Sequence, residues 1–171
     1  EAQAFHSWQS QQLAAAGVDF LIAQTLPALP EAVGLAQALA ATEIPYIISF
    51  VINREGVLLD GHTLTEAMAT IDGAVDKAPL GYMVNCAYPS FLKVEQEPAA
   101  VLERLLGFQA NASSLDHQEL NEAATLKADT VSDWGQRMVS LNRDFNIPIL
   151  GGCCGTGVEH LEYLANHLAA K

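Results

Sequence analysis

The chain has 171 residues, half of them hydrophobic and 16% charged, a composition that excludes a disordered chain and suffices for one domain with a sizeable core. A formal net charge of −12, with no basic block, sets aside a nucleic-acid backbone or an anionic membrane surface as partner. The richest apolar region, 18–41, is broken by Asp19, Gln24, two prolines and Glu31 and is no membrane span; the N-terminal EAQAFHSWQSQQ is no secretory leader, and three cysteines fit a reducing compartment, so the expected location is the cytoplasm.

In chain order, a helix over 2–16 is closed by Gly17, the residue type that ends helices at positive φ. A strand, VDFLIAQ (18–24), leads to a helix at 28–42, and PYIISFV (45–51) to a helix at 64–77. Thr63 and Glu66 at the start of that helix form a capping-box pattern. GYMVNC (81–86) is followed by a helix at 97–106, and GFQAN (107–111) by a long polar connection, 112–129, before a helix at 132–145. A connection of that length is either a functional lid or a surface excursion holding a helical turn. IPILGG (147–152) precedes the last helix, 157–169, opened by a second capping-box pattern at Thr156 and Glu159.

Most of these strands are almost continuously apolar, as in a parallel sheet covered on both faces. The order α(βα)₅, with no linker or change of composition, predicts one α/β domain over 1–171.

All three cysteines fall at strand carboxyl ends, where α/β folds place their ligands: Cys86 ends GYMVNC, and Cys153 and Cys154 follow IPILGG. Adjacent cysteines bridge each other poorly, because disulfide geometry wants wider Cα spacing than neighbours have. Three converging thiolates leave one position free on a tetrahedral Zn²⁺. Cys86 and Cys153 lie on strands separated by a third, about 10 Å apart in a flat sheet, so a metal site requires a sheet that curls. Gly151 and Gly152 are expected to turn the backbone sharply and Gly155 to free the turn before the last helix, whose positive end would favour thiolate. Two other readings stay open: buried cysteines acting as small core hydrophobes, and a metal-free phosphate site at a glycine-rich helix N-terminus.

GGCCGT (151–156), with His160 in the helix behind it, and Asn85–Cys86 followed by Pro89 resemble the two cysteine motifs of the zinc-dependent homocysteine S-methyltransferases. AGVDFLIAQT (16–25) with Glu31, PYIISF (45–50), LLDG (58–61) and QANAS (109–113) resemble segments of the same family. The resemblance implies a TIM-type (β/α)₈ barrel of which this chain is a piece lacking the first three strands, an expectation to which the absence of an initiator Met adds. It also implies that Cys86, Cys153 and Cys154 bind Zn²⁺, that homocysteine sulfur takes the open position and attacks an activated methyl group as a thiolate, and that methionine forms. Gln24, Thr25 and Asn85 are the implied substrate-binding residues, Gln24 standing where the family has a glutamate. No catalytic residue beyond the zinc site is expected.

The methyl donor stays open among S-methylmethionine, S-adenosylmethionine, betaine and a methyl-folate or corrinoid partner. The alternative is an inactive or fragmentary metal- or thiol-binding protein derived from this family, and exposed sheet edges suggest self-association. Asn85 and Asn111 either contact substrate, orient a sulfur or form turns. Ser49 is expected to pack, Asp60-Gly61 to turn, and Trp8 and Trp134 to lie in the core, while His62, His117 and His160 are minor candidates for a metal, His160 being expected rather to pack or face solvent.

Overall fold

The computed structural model describes residues 1–125 and 127–168. Five strands, β1 (Leu21–Leu26), β2 (Tyr46–Phe50), β3 (Gly81–Ala87), β4 (Leu105–Ala110) and β5 (Ile149–Gly152), form one sheet in the order β1-β2-β3-β4-β5. Every neighbouring pair is parallel. The helices are α1 (Ala2–Ala15), α2 (Leu29–Ala40), α3 (Leu64–Ala74), α4 (Ala99–Arg104), α5 (His117–Asn121), α6 (Val131–Arg143) and α7 (Val158–Leu168). Parallel strands paired in sequence order and joined through helices are the wall of a TIM-type barrel. Among the described residues no helix is long and apolar enough to cross a membrane.

The sheet curls. Gln24 on β1 donates its side-chain N–H to the Gln109 carboxamide oxygen on β4 at 2.7 Å, although two strands lie between them. In a flat sheet those backbones would stand about 14 Å apart with side chains perpendicular to it. The two side chains meet inside a concavity, the curvature that a shared metal site demands.

Curling separates two faces. On the convex side Tyr46, Ile48, Phe50, Tyr82, Val84 and Phe108 join helix residues such as Ala36, Ile71, Trp134, Met138 and Leu164 in one buried core. On the concave side the register aligns Ile22 with Ile47, Ser49 with Met83, Asn85 with Gln109 and Gln109 with Gly151. β2 is buried throughout, but β1 and β5 are partly exposed, so burial on both faces, expected for most of the strands, holds at the centre and not at the edges.

The Thr63–Glu66 capping box forms in both directions, at 3.2 and 2.9 Å. Gly17 closes α1 at φ +79°, its N–H on the Ala14 carbonyl. The long connection contains the helical turn α5, opened by an Asp116–Glu119 capping box; its Leu126, like residue 169 of the last predicted helix, lies outside the described residues. Trp134 is fully buried, but Trp8 is 71% exposed. The reason is the seat of α1: it lies against α2 at Gly34, where a Cβ would come within 2.6 Å of Ala2 Cβ, and turns Phe5 and Trp8 outward.

Candidate metal centre

At the end of β3 a regular strand would send Asn85 and Cys86 to opposite faces. The ladder with β4 shifts register between Asn85 and Ala87, and Cys86 takes φ +53°. A bulge of this kind re-aims one side chain at the cost of a sparsely populated backbone state. β1 repeats the device. Its ladder shifts between Ala23 and Leu26, and Thr25 takes φ +64°, unusual for a β-branched residue.

Asn85 joins the two bulges. Its carboxamide oxygen accepts from the Thr25 N–H at 2.9 Å and from the Ser49 hydroxyl at 2.7 Å, and its amide donates to Thr25 Oγ1 at 2.8 Å. Ser49 is therefore more than packing: fully buried, it braces Asn85. Gln24 is exposed beside this group, held by Gln109.

At the end of β5 the Cys153 N–H pairs with the Ala110 carbonyl at 2.7 Å, and the chain then turns, the Thr156 N–H returning to the Cys153 carbonyl at 3.2 Å. Gly155, at φ +79°, holds the position that such a turn reserves for glycine. The sharp turn expected of Gly151 and Gly152 lies here instead. Both remain in β5, and Gly152 is small because a Cβ would stand 2.2 Å from Thr156 Oγ1.

The second capping box does not form. Thr156 Oγ1 donates to the Cys153 carbonyl at 2.8 Å, and it is the His160 ring that accepts the Gly157 N–H at 3.1 Å. His160 is buried edge-on against Trp134, ring centroids 4.9 Å apart. Asp60 accepts the first N–H of α2 at 2.7 Å, so its turn also caps a helix.

The Cys86 and Cys153 sulfurs lie 2.9 Å apart, those of Cys153 and Cys154 3.9 Å apart, and all three within 4.8 Å of one another. Tetrahedral zinc with Zn–S near 2.3 Å places sulfurs about 3.8 Å apart, inside the range this cluster spans. Among the described residues no histidine or carboxylate joins the group. His62 pairs with Asp60, and His117 faces the Ile52 carbonyl.

Burial, then the neighbouring Cys153 and Cys154 sulfurs, push the Cys86 thiol up to about 12; burial first and Cys153 second push Cys154 up too. The N–H just before α7, that of Gly157, is taken by the His160 ring and does not face the sulfurs. Three thiols this close ionise together only against a cation, and a soft, three-sulfur donor set suits zinc.

Asn111 links the two cysteine loops. Its amide donates to the Cys86 carbonyl at 3.0 Å, and its carboxamide oxygen accepts the Cys154 N–H at 3.2 Å. Cys154 is the exposed sulfur. Beside it a cavity of about 370 Å³ is walled by Ser113, Leu120 and Lys127 of the 112–129 connection, which Ser114 closes on Asp129 at 2.6 Å and Arg54 ties to α5 through Glu119 at 2.8 Å. Reading the sequence missed Gln109. A polar residue inside an otherwise apolar strand, two before Asn111, was the available signal.

The fold resembles that of the homocysteine methyltransferase MmuM from Escherichia coli in its apo form, with a TM-score of 0.63 and 23% sequence identity over 97% of this chain. The chain spans 56% of that protein's length. No curated protein sequence matches it. The homocysteine S-methyltransferase family profile matches residues 1–168, nearly the whole chain and both cysteine motifs, and the chain belongs to that family.

Proposed function

We propose that this chain carries the metal-binding part of an S-methyltransferase that methylates the thiol of homocysteine, and that Cys86, Cys153 and Cys154 hold one Zn²⁺. The observation that carries the reading is the convergence of three sulfurs from two strand ends to within 4.8 Å, in a chain of this family. Zinc, when bound, supplies the positive charge that lets a further thiol ionise near neutral pH.

The chain's own residues position and exclude. Asn85 fixes Thr25 at the concave mouth, and Gln24, Thr25 and Asn85 form the substrate side, Asn85 acting through Thr25. The 112–129 connection walls the space beside Cys154 and limits water there. In the transfer the substrate sulfur gives an electron pair to the methyl carbon, the bond from that carbon to the donor breaks, and the donor leaves with the bonding pair. The thiol proton goes to solvent. The five βα units correspond to the last five of an eight-unit barrel, whose other units would close the concave face. The domain, 1–171, works where thiols stay reduced, as in the cytoplasm.

A second reading, a metal- or thiol-binding protein without methyl transfer, rests on Gln24. A carboxamide already engaged by Gln109 offers no charge to a substrate ammonium.

Zinc content of the reduced chain, followed by methyl transfer to homocysteine from each donor class, tests both. About one zinc per chain, lost in Cys153→Ser together with transfer, supports the enzyme. Zinc without transfer to any acceptor, in a version carrying the complete barrel, supports the second reading. Full transfer by Cys153→Ser overturns the metal site.

A further inference from the structure

We propose that Asn111 is the positioning residue that sets the spacing of the three sulfurs; the inference rests on reading them as a metal centre. Three features separate it from an ordinary strand-end asparagine.

The first is reach. A turn-forming asparagine bonds its own backbone two residues on. The Asn111 side chain bonds residues 25 positions back and 43 positions ahead. One carboxamide spans the β3 end and the β5 end, which meet nowhere else in the ladder, since β4 lies between them.

The second is that its orientation is fixed by chemistry. The Cys86 carbonyl can only accept and the Cys154 N–H can only donate, so the amide nitrogen and oxygen each have one possible partner. Turning the group over would break both bonds. The Cys86 carbonyl needs this partner: the bulge takes Cys86 out of the β3–β4 ladder, where Asn85 pairs with Gln109 and Ala87 with Ala110. Asn111 therefore serves the strained residue at φ +53° and the vicinal pair together.

The third is that the residue is anchored. Asn111 is 4% exposed. Its backbone N–H bonds the Ala87 carbonyl at 2.9 Å, and its carbonyl accepts from the indole of the fully buried Trp134 at 3.0 Å. Trp134 in turn bears on His160, whose ring caps α7 just after the cysteine turn. The carboxamide is thus held from the core and holds two loops whose sulfurs must each be placed to within about 0.2 Å of the ideal metal–ligand distance. Outer contacts of this kind typically govern metal affinity tenfold to a hundredfold.

The test uses the full chain, reduced, with Zn²⁺ and Co²⁺ as probes. Asn111→Leu removes both bonds and is expected to weaken zinc binding about 100-fold in a chelator competition; Asn111→Asp keeps the acceptor for the Cys154 N–H, loses the donor to Cys86, and is expected to weaken it about 10-fold. Both should shift the visible and thiolate charge-transfer bands of the Co²⁺ form. A merely structural residue would lower the melting temperature and leave affinity and spectrum alone, as Ile71→Ala, in the remote helix-side core, is expected to do. If Asn111→Leu does not fold, the Asp variant and its spectrum decide. A wild-type chain that takes up neither ion overturns the metal-centre reading and this inference with it. A wild-type chain that binds both, with Asn111 variants of equal affinity and spectrum, overturns the inference alone.

Discussion

The two faces of the sheet are built from the same strands and do opposite work. Residues 108 and 109 are covalent neighbours: Phe108 points out into the helix layer and is fully buried, while Gln109 points into the concavity and reaches Gln24. The convex side is apolar, closed and continuous with the helices. On the concave side the register places Gln24, Ser49, Asn85 and Gln109 among Ile47, Met83 and Ile149, without one charged side chain. Stability should therefore reside outside and ligand chemistry inside, with the strand-end bulges as the place where the two meet.

Phe108→Ala tests the first half and carries the largest expected effect. Emptying a fully buried phenylalanine site costs about 3–5 kcal/mol, a large share of the stability of a domain this size. Denaturant unfolding should show the loss, with zinc stoichiometry unchanged in the fraction that remains folded. A Phe108→Ala chain as stable as wild type would mean that the helix-side core is not where the fold is held.

The sulfur cluster, at the boundary, should show itself through pH. A thiol pushed to about 12 is protonated at pH 7, so a metal must displace its proton, and affinity should rise with pH by about tenfold per unit for each proton released. Without metal the sign reverses for folding. An acid whose folded value lies above its ordinary one keeps its proton in the folded state while the unfolded chain has lost it. The metal-free chain should thus lose stability as pH climbs from the ordinary value of 9 toward 12. Calorimetric zinc titrations between pH 6 and 8, in buffers of different ionisation enthalpy, count the protons; zinc binding with none released would contradict a cluster whose thiols are protonated before the metal arrives.

Much of this was legible in the residues. All five strands lie where apolar runs stand between helix-like segments, and the positions of Cys86 and Cys153–Cys154 after two such runs led to both the cluster and the curl. What stayed hidden depends on geometry that period-2 reasoning assumes away. Thr25 and Cys86 sit in bulges, and nothing in Ala-Gln-Thr or Asn-Cys-Ala announces a positive φ. The glycines are ambiguous for a related reason: the GG pair predicts a turn at Gly152, but its smallness answers a close neighbour, Thr156. Residue type alone predicts a core position for Trp8, and only the seat of α1 on α2 shows otherwise.

Gln109→Leu breaks the comparison at its finest point, and its expected effect is the smallest. The substitution leaves the convex face untouched and removes one hydrogen bond at a partly open position, so stability should move by no more than about 0.5 kcal/mol. Its effect belongs to Gln24. A carboxamide released from its partner pays conformational entropy to be ordered again when substrate arrives. If Gln24 meets the thiol substrate, KM for that thiol should rise about 3- to 10-fold, with kcat little changed, because positioning is lost and no transition-state contact is removed. A variant with unaltered KM would separate Gln24 from the substrate. The concave carboxamides would then serve only to hold the curl, and the substrate side would lie with Thr25 and the Cys154 cavity instead.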